Sequence, residues 1–119
     1  MRLNVISLPT RADRRAQFTA WNARPGVEIA FVDAVVGASL DRAELAARGL
    51  VASDASQFSA GALGNALSHH KLWVEAVTSS GPTFIFEDDA CLRADFVTQA
   101  MEALAQIPAD WDFVFFGYN

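Results

Sequence analysis

The chain has 119 residues, 52% of them apolar and 19% charged, which is enough for one domain with a real core, short for two, and unlike a disordered tail. Its formal charge is −5 with nine basic residues, eight of them Arg, so a phosphate-tracking surface would have to form against the overall field and nucleic acid is not expected as a partner. A single cysteine, Cys91, excludes an intramolecular disulfide, makes a zinc site improbable and reads as a core residue; the apolar runs are of strand length, without the flanks of an export signal, so a reducing cytoplasm is expected.

Residues 3–8 read as a buried strand ended by Pro9. Thr10 and Asp13 are spaced like a capping box opening a helix through about Ala23, with Phe18 and Trp21 on one face. Pro25-Gly26 marks a turn, and a second strand over residues 28–32 delivers Asp33 at its carboxyl end. A short helix over 41–48 should stop at Gly49, and the polar stretch 53–59 should lead as a loop to the cap of a longer helix over 60–78. Leu63, Leu67, Val74 and Val77 recur there at helical spacing, while Gly61, Gly64 and Ser68 form a smooth stripe open to packing or to close approach by a ligand.

Residues 83–86 are apolar on both faces, as in a central parallel strand, and Glu87, Asp88 and Asp89 follow at its exit. Residues 95–107 read as a helix with Phe96, Ala100, Leu104 and Ile107 toward the core. Pro108 precedes a last strand over 113–116, with Trp111 anchoring the turn. The alternation predicts one α/β domain over residues 1–119, a mostly parallel sheet flanked by helices.

Ligands of such sheets bind outside the carboxyl ends of the strands, where Asp33 and the acidic triplet are expected. Closely spaced carboxylates can hold Mn²⁺ or Mg²⁺ through hard oxygen ligands, and the ion can bind a diphosphate. A solvated strand end or helix-capping role is an equal reading of the same triplet. Arg11, Arg14 and Arg15 could fork onto phosphate oxygens, or serve with Asp13 as a solvating helix surface. His69 and His70 point about 100° apart on their helix, so at most one has a chemical role. Lys71 reads as a surface residue.

Three ordered stretches, "VISLPTRADRRAQF" (5–18), "GALGNALSHHKLW" (61–73) and "FIFEDDA" (84–90), resemble the N-terminal half of glycosyltransferase family 25, which includes lipooligosaccharide galactosyltransferases and collagen galactosyltransferase-like proteins. The resemblance implies a GT-A-like nucleotide-sugar fold that transfers a hexose, galactose above all, from a donor such as UDP-galactose to a glycan acceptor in lipopolysaccharide biosynthesis. By motif, Arg11, Asp13, Arg14, Gly64, Ser68 and His69 would belong to the donor site, and Glu87, Asp88 and Asp89 to the metal centre. It further implies a cytoplasmic enzyme with peripheral association at the inner face of the membrane, and a homodimer covering any open sheet edge. The family often reads Ala-Val-Asp-Gly after its second strand, whereas residues 34–37 read "AVVG", so Val36 replaces a carboxylate for which Asp33 would have to substitute. Family members usually continue beyond "WDFVFFGYN", so the chain is expected to be a fragment without its acceptor half and catalytic base. The alternative from another class is a non-catalytic nucleotide-binding or interaction module built on the same fold. A phosphorylatable receiver domain is disfavoured, because residues 9–15 are mainly basic and the only lysine is Lys71.

Overall fold

The computed structural model describes residues 1–52 and 55–117, so part of the expected 53–59 loop and the last two residues lie outside the described set. Strands β1 (Arg2–Ser7), β2 (Glu28–Asp33) and β3 (Phe84–Glu87) form a parallel sheet of order β2-β1-β3. The central strand is therefore β1, while the expected central strand, β3, lies at an edge among the described residues. Burial explains the exchange: Leu3, Val5, Ile6 and Ser7 of β1 are buried, whereas β3 is only half-buried.

Helix α1 (Ala12–Asn22) packs Phe18, fully buried, against Leu3 and Val5, and Phe31 meets the Phe18 ring edge-on at 6.1 Å. The buried side of α1 is Phe18 with Asn22, one turn apart, so Trp21 faces outward at 45% exposure instead of sharing the core with Phe18. Asn22 is fully buried yet satisfied. Its Nδ2 donates to the carbonyls of Phe18 (3.0 Å) and Ala90 (2.9 Å), and its Oδ1 accepts from the Leu92 amide at 2.9 Å. With the Arg24 guanidinium, which donates to the carbonyls of Leu92 and Arg93, it fastens the end of α1 to the segment after β3.

The short helix α2 (Arg42–Ala47) begins where Asp41 accepts from the amides of Ala43 (2.9 Å) and Glu44 (3.1 Å), and ends before Gly49, whose φ of +69° suits glycine. Helix α3 (Ala60–Val77) is capped by Ser59, whose Oγ accepts from the Ala62 amide at 3.1 Å. Its buried stripe is Leu63, Gly64, Ser68 and Leu72; Val74 and Val77, expected in the core, are exposed. The small residues win the interior because a backbone segment, rather than side chains, packs against them. Helix α4 (Phe96–Gln106) buries Ala100, with Phe96, Leu104 and Ile107 half-buried as its spacing predicts.

Residues 113–116 make no strand. They are held by aromatic packing, with Phe116 near Phe84 (6.4 Å) and Phe96 (5.7 Å) and Phe113 edge-on to Trp73 (5.3 Å). Trp111 is among the exposed aromatics, and Cys91 is exposed rather than in the core. Among the described residues, no helix is long and apolar enough to cross a membrane.

Candidate functional site

Parallel pairing brings all three strand ends to one edge, with Ser7 opposite Asp33 and Ile6 opposite Glu87. A cleft of about 370 Å³ opens there. One side carries Arg11 and Arg14 from the start of α1; the other is the segment after β2, from Ala34 to Ala38; Asn65 and Ser68 of α3 and Glu87 and Asp88 complete it.

The turn after β3, closed by the Ala90 amide donating to the Glu87 carbonyl at 3.1 Å, sends the three carboxylates in different directions. Asp88 is turned inward, 7% exposed, and both its oxygens are engaged: Ser7 Oγ donates to Oδ2 and Arg14 Nη1 to Oδ1, each at 2.7 Å. A carboxylate removed from water is costly unless paired and hydrogen-bonded, and here a guanidinium and a hydroxyl do both. Asp89 points outward and meets Arg14 Nη2 at 3.7 Å. Glu87 accepts from Asn65 Nδ2 at 3.1 Å and stands 3.5 Å from His69 Nε2, these two lying one turn apart on α3. Arg14 is thus the principal cation of the acidic exit.

A hard divalent cation needs several oxygens converging on one point. Among the described residues no three His, Cys, Asp or Glu side chains are so gathered, and the two oxygens of Asp88 are directed at Ser7 and Arg14. In this arrangement the triplet presents no converging ligand set for Mn²⁺ or Mg²⁺, because Asp88 is taken by Ser7 and Arg14 while Glu87 and Asp89 are directed elsewhere.

The other site residues named from sequence are dispersed around this centre. Arg11 lines the cleft, but its Nε and Nη2 are held by Asp13 at 2.9 and 2.7 Å. That forked pair draws Asp13 away from the expected capping box: α1 has no side-chain cap, and the Arg11 guanidinium holds the Asp13 carboxyl down from the ordinary 3.8 to about 2. Asp33 is not a cleft residue. It accepts from Arg15 Nη2 at 2.6 Å, the same nitrogen that donates to the Ser7 carbonyl at 3.0 Å, while the guanidinium lies 5.3 Å from the Phe31 ring centre. Asp33 therefore ties α1 to the strand ends and does not substitute for the carboxylate missing at Val36, which lines the cleft as an exposed apolar side chain.

Gly64 and Ser68 act through the backbone after β2. Ser68 Oγ accepts from the Val35 amide (2.9 Å) and donates to the Gly64 carbonyl (2.6 Å). A Cβ on Gly64 would come within 2.6 Å of the Val35 carbonyl oxygen and 2.9 Å of the Gly37 nitrogen, and one on Gly37 would meet the Ala60 carbonyl oxygen at 1.7 Å. The smooth stripe is a docking seat for the cleft wall. Ser7 and Asn65 were passed over as site residues in the sequence, and Arg15, grouped there with Arg11 and Arg14 for phosphate, is not among the residues lining the cleft. Ser7 carried a usable signal, a lone hydroxyl at the carboxyl end of an otherwise apolar strand.

A family model described as glycosyltransferase family 25 (LPS biosynthesis protein) matches residues 1–118. The chain is also similar to the Bos taurus protein named "Probable inactive glycosyltransferase 25 family member 3", with 27% identity over 124 aligned positions that cover 95% of this chain and 21% of that protein. It thus spans about a fifth of the length of that curated relative. No solved structure matches it. The match over nearly every residue, on a parallel α/β frame with its cleft at the strand exits, means that the chain belongs to glycosyltransferase family 25.

Proposed function

We propose that the chain forms the donor-binding part of a glycosyltransferase that moves a hexose, galactose in the first instance, from a nucleotide sugar to a glycan acceptor in lipopolysaccharide or lipooligosaccharide synthesis. Its place would be the cytoplasmic face of the membrane. The observation that carries the reading is the cleft, with two guanidinium groups on one side and an apolar wall on the other. Arg11 and Arg14 would meet the diphosphate, and Val35 and Val36 would pack against the nucleoside. In transfer, negative charge grows on the departing diphosphate, and guanidinium groups fixed beside it stabilise that charge more than they stabilise the ground state. Asp88 and Ser7 position Arg14 for this role.

The second reading, a module that binds nucleotide without transfer, is favoured by the similarity to the bovine relative, which is named as a probable inactive member. Thermal unfolding with UDP and UDP-galactose, with and without Mn²⁺, tests the donor site. Ligand at 100 times its Kd adds about 2.7 kcal/mol, a rise in Tm that Arg14→Ala should largely abolish. No rise under any of these conditions refutes donor binding. A rise without release of UDP in the presence of galactoside and glucoside acceptors selects the second reading only in a protein shown to be full length, because a donor-binding part alone also binds without transfer. The Mn²⁺ arm also tests the expected metal, since equal responses with and without it would exclude a requirement in binding.

A further inference from the structure

The cleft leaves a second cavity unexplained. It has a volume of about 240 Å³, lies between the flank of α1 and the turn after β3, and is lined by Asp13, Arg14, Gln17, Trp21, Asp88 and Asp89. Arg14 and Asp88 line both cavities. Asp13, Gln17 and Trp21 follow one another at four-residue spacing, so they share one flank of the helix.

Three features of this lining point to a ligand class. Trp21 is 45% exposed although Phe18, one turn earlier, is fully buried, so a large aromatic surface is left facing water at the cavity. The Gln17 side chain makes no hydrogen bond within the described residues, leaving both an acceptor and donors for a ligand. Asp13 is held by Arg11 and Asp88 by Arg14, each with contacts of 2.7 Å, whereas Asp89 meets Arg14 only at 3.7 Å, which leaves it the carboxylate least engaged within the protein. An apolar ligand would bury Gln17 and Asp89 without partners, and an anion would be opposed by three aspartates. A neutral ring with an apolar face and a rim of hydroxyls satisfies all of them: its C–H face covers the indole, and its hydroxyls donate to Asp89 and exchange hydrogen bonds with Gln17.

We propose that this cavity is a pyranose-binding subsite, with Trp21 as the platform and Gln17 and Asp89 as hydroxyl partners. The proposal rests on the glycosyltransferase reading and deepens it: the wall shared through Arg14 and Asp88 sets the sugar beside the diphosphate site. The sugar has two possible sources, the hexose of the donor and the terminal residue of the acceptor, and both present the same chemistry.

The test follows the indole N–H signals of the full chain by NMR. There are three tryptophans, Trp21, Trp73 and Trp111, and Trp21→Phe identifies the relevant signal. Titration with the methyl glycosides of galactose, glucose and N-acetylglucosamine at millimolar concentrations should shift the Trp21 signal saturably with at least one of them. Gln17→Ala and Asp89→Asn, checked for an unchanged melting temperature, should each weaken that binding about tenfold, of the order expected when one polar partner of a hydroxyl is lost. A glycoside that still binds the UDP-loaded protein identifies the acceptor's sugar; displacement of the glycoside by UDP-galactose, which itself moves Trp21, identifies the donor's hexose. Either result supports the subsite. If UDP shifts the backbone amides of Ala34 to Gly37 while no glycoside moves Trp21, the subsite is refuted and the donor site stands. If glycosides move Trp21 and UDP moves nothing, the subsite stands and the donor site falls.

Discussion

Replacing Gly64 with alanine puts the packing of the cleft wall to a direct test. The new Cβ would lie 2.6 Å from the Val35 carbonyl oxygen and 2.9 Å from the Gly37 nitrogen, and both are backbone atoms that no rotamer change can move aside. Forcing a methyl into a packed contact costs about 1–3 kcal/mol, against which alanine returns about 1 kcal/mol of helix propensity. The balance is a loss of up to about 2 kcal/mol, and at about 3–6 °C per kcal/mol for a domain of this size Tm should fall by up to roughly 12 °C. Gly61 supplies the control, because a Cβ there finds nothing nearer than Ser59 Oγ at 3.9 Å. Gly61→Ala should be neutral or stabilising by up to about 1 kcal/mol. Urea and thermal unfolding of the two variants measure the difference, and UDP titration should show weaker binding by Gly64→Ala alone. If Gly64→Ala is as stable as Gly61→Ala, the close approach between α3 and the segment after β2 does not exist as described.

Asn22→Ala should destabilise the fold by about 2–4 kcal/mol in urea unfolding, because the Leu92 amide and the Ala90 carbonyl lose buried partners; a loss under about 0.5 kcal/mol would show that these groups find other partners. The Asp13 carboxyl should titrate near 2 rather than at 3.8, as read by its side-chain carbonyl signal in NMR, and Arg11→Gln should return it toward 3.8. Since the folded value is the lower one, whatever the pair adds to stability is complete above about 3.8 and is lost as pH falls through about 2. A wild-type midpoint near 3.8 would mean that the fork between Arg11 and Asp13 is not populated.

The elements that hydrophobic period and turn chemistry mark most strongly, β1, β2, α3 and α4, were legible in the sequence. What period alone misses is which side of an element meets backbone. Val74 and Val77 look like core, and the stripe of Gly64 and Ser68 leaves packing and ligand access both open, until the segment after β2 is seen to seat on the small residues. Trp21 was placed on one face with Phe18 for the same reason, since spacing cannot tell that Asn22 would be buried by two hydrogen bonds to loop backbone and one to its own helix. At the site, the clustering of charge at the strand exits was legible, but its pairing was not. Like charges so close demand a compensating cation, and the sequence leaves open whether a metal or a guanidinium supplies it; the fold brings Arg14 and Ser7, 74 and 81 residues away, onto Asp88. The strand expected over 113–116 was an aromatic run whose rings, rather than its amides, make the contacts.

The order β2-β1-β3 has its own consequence. The chain leaves β1 toward one side to lay down β2 and later returns to lay β3 on the other, so the two connections part company above the end of β1 and a crevice must open between them. Where a ligand can sit is thereby decided by strand order, and what it can be is left to the few side chains that edge the gap, such as Arg11, Val36 and Asn65. Those can be exchanged without disturbing the frame, so a family built on this plan can change its chemistry while keeping its address.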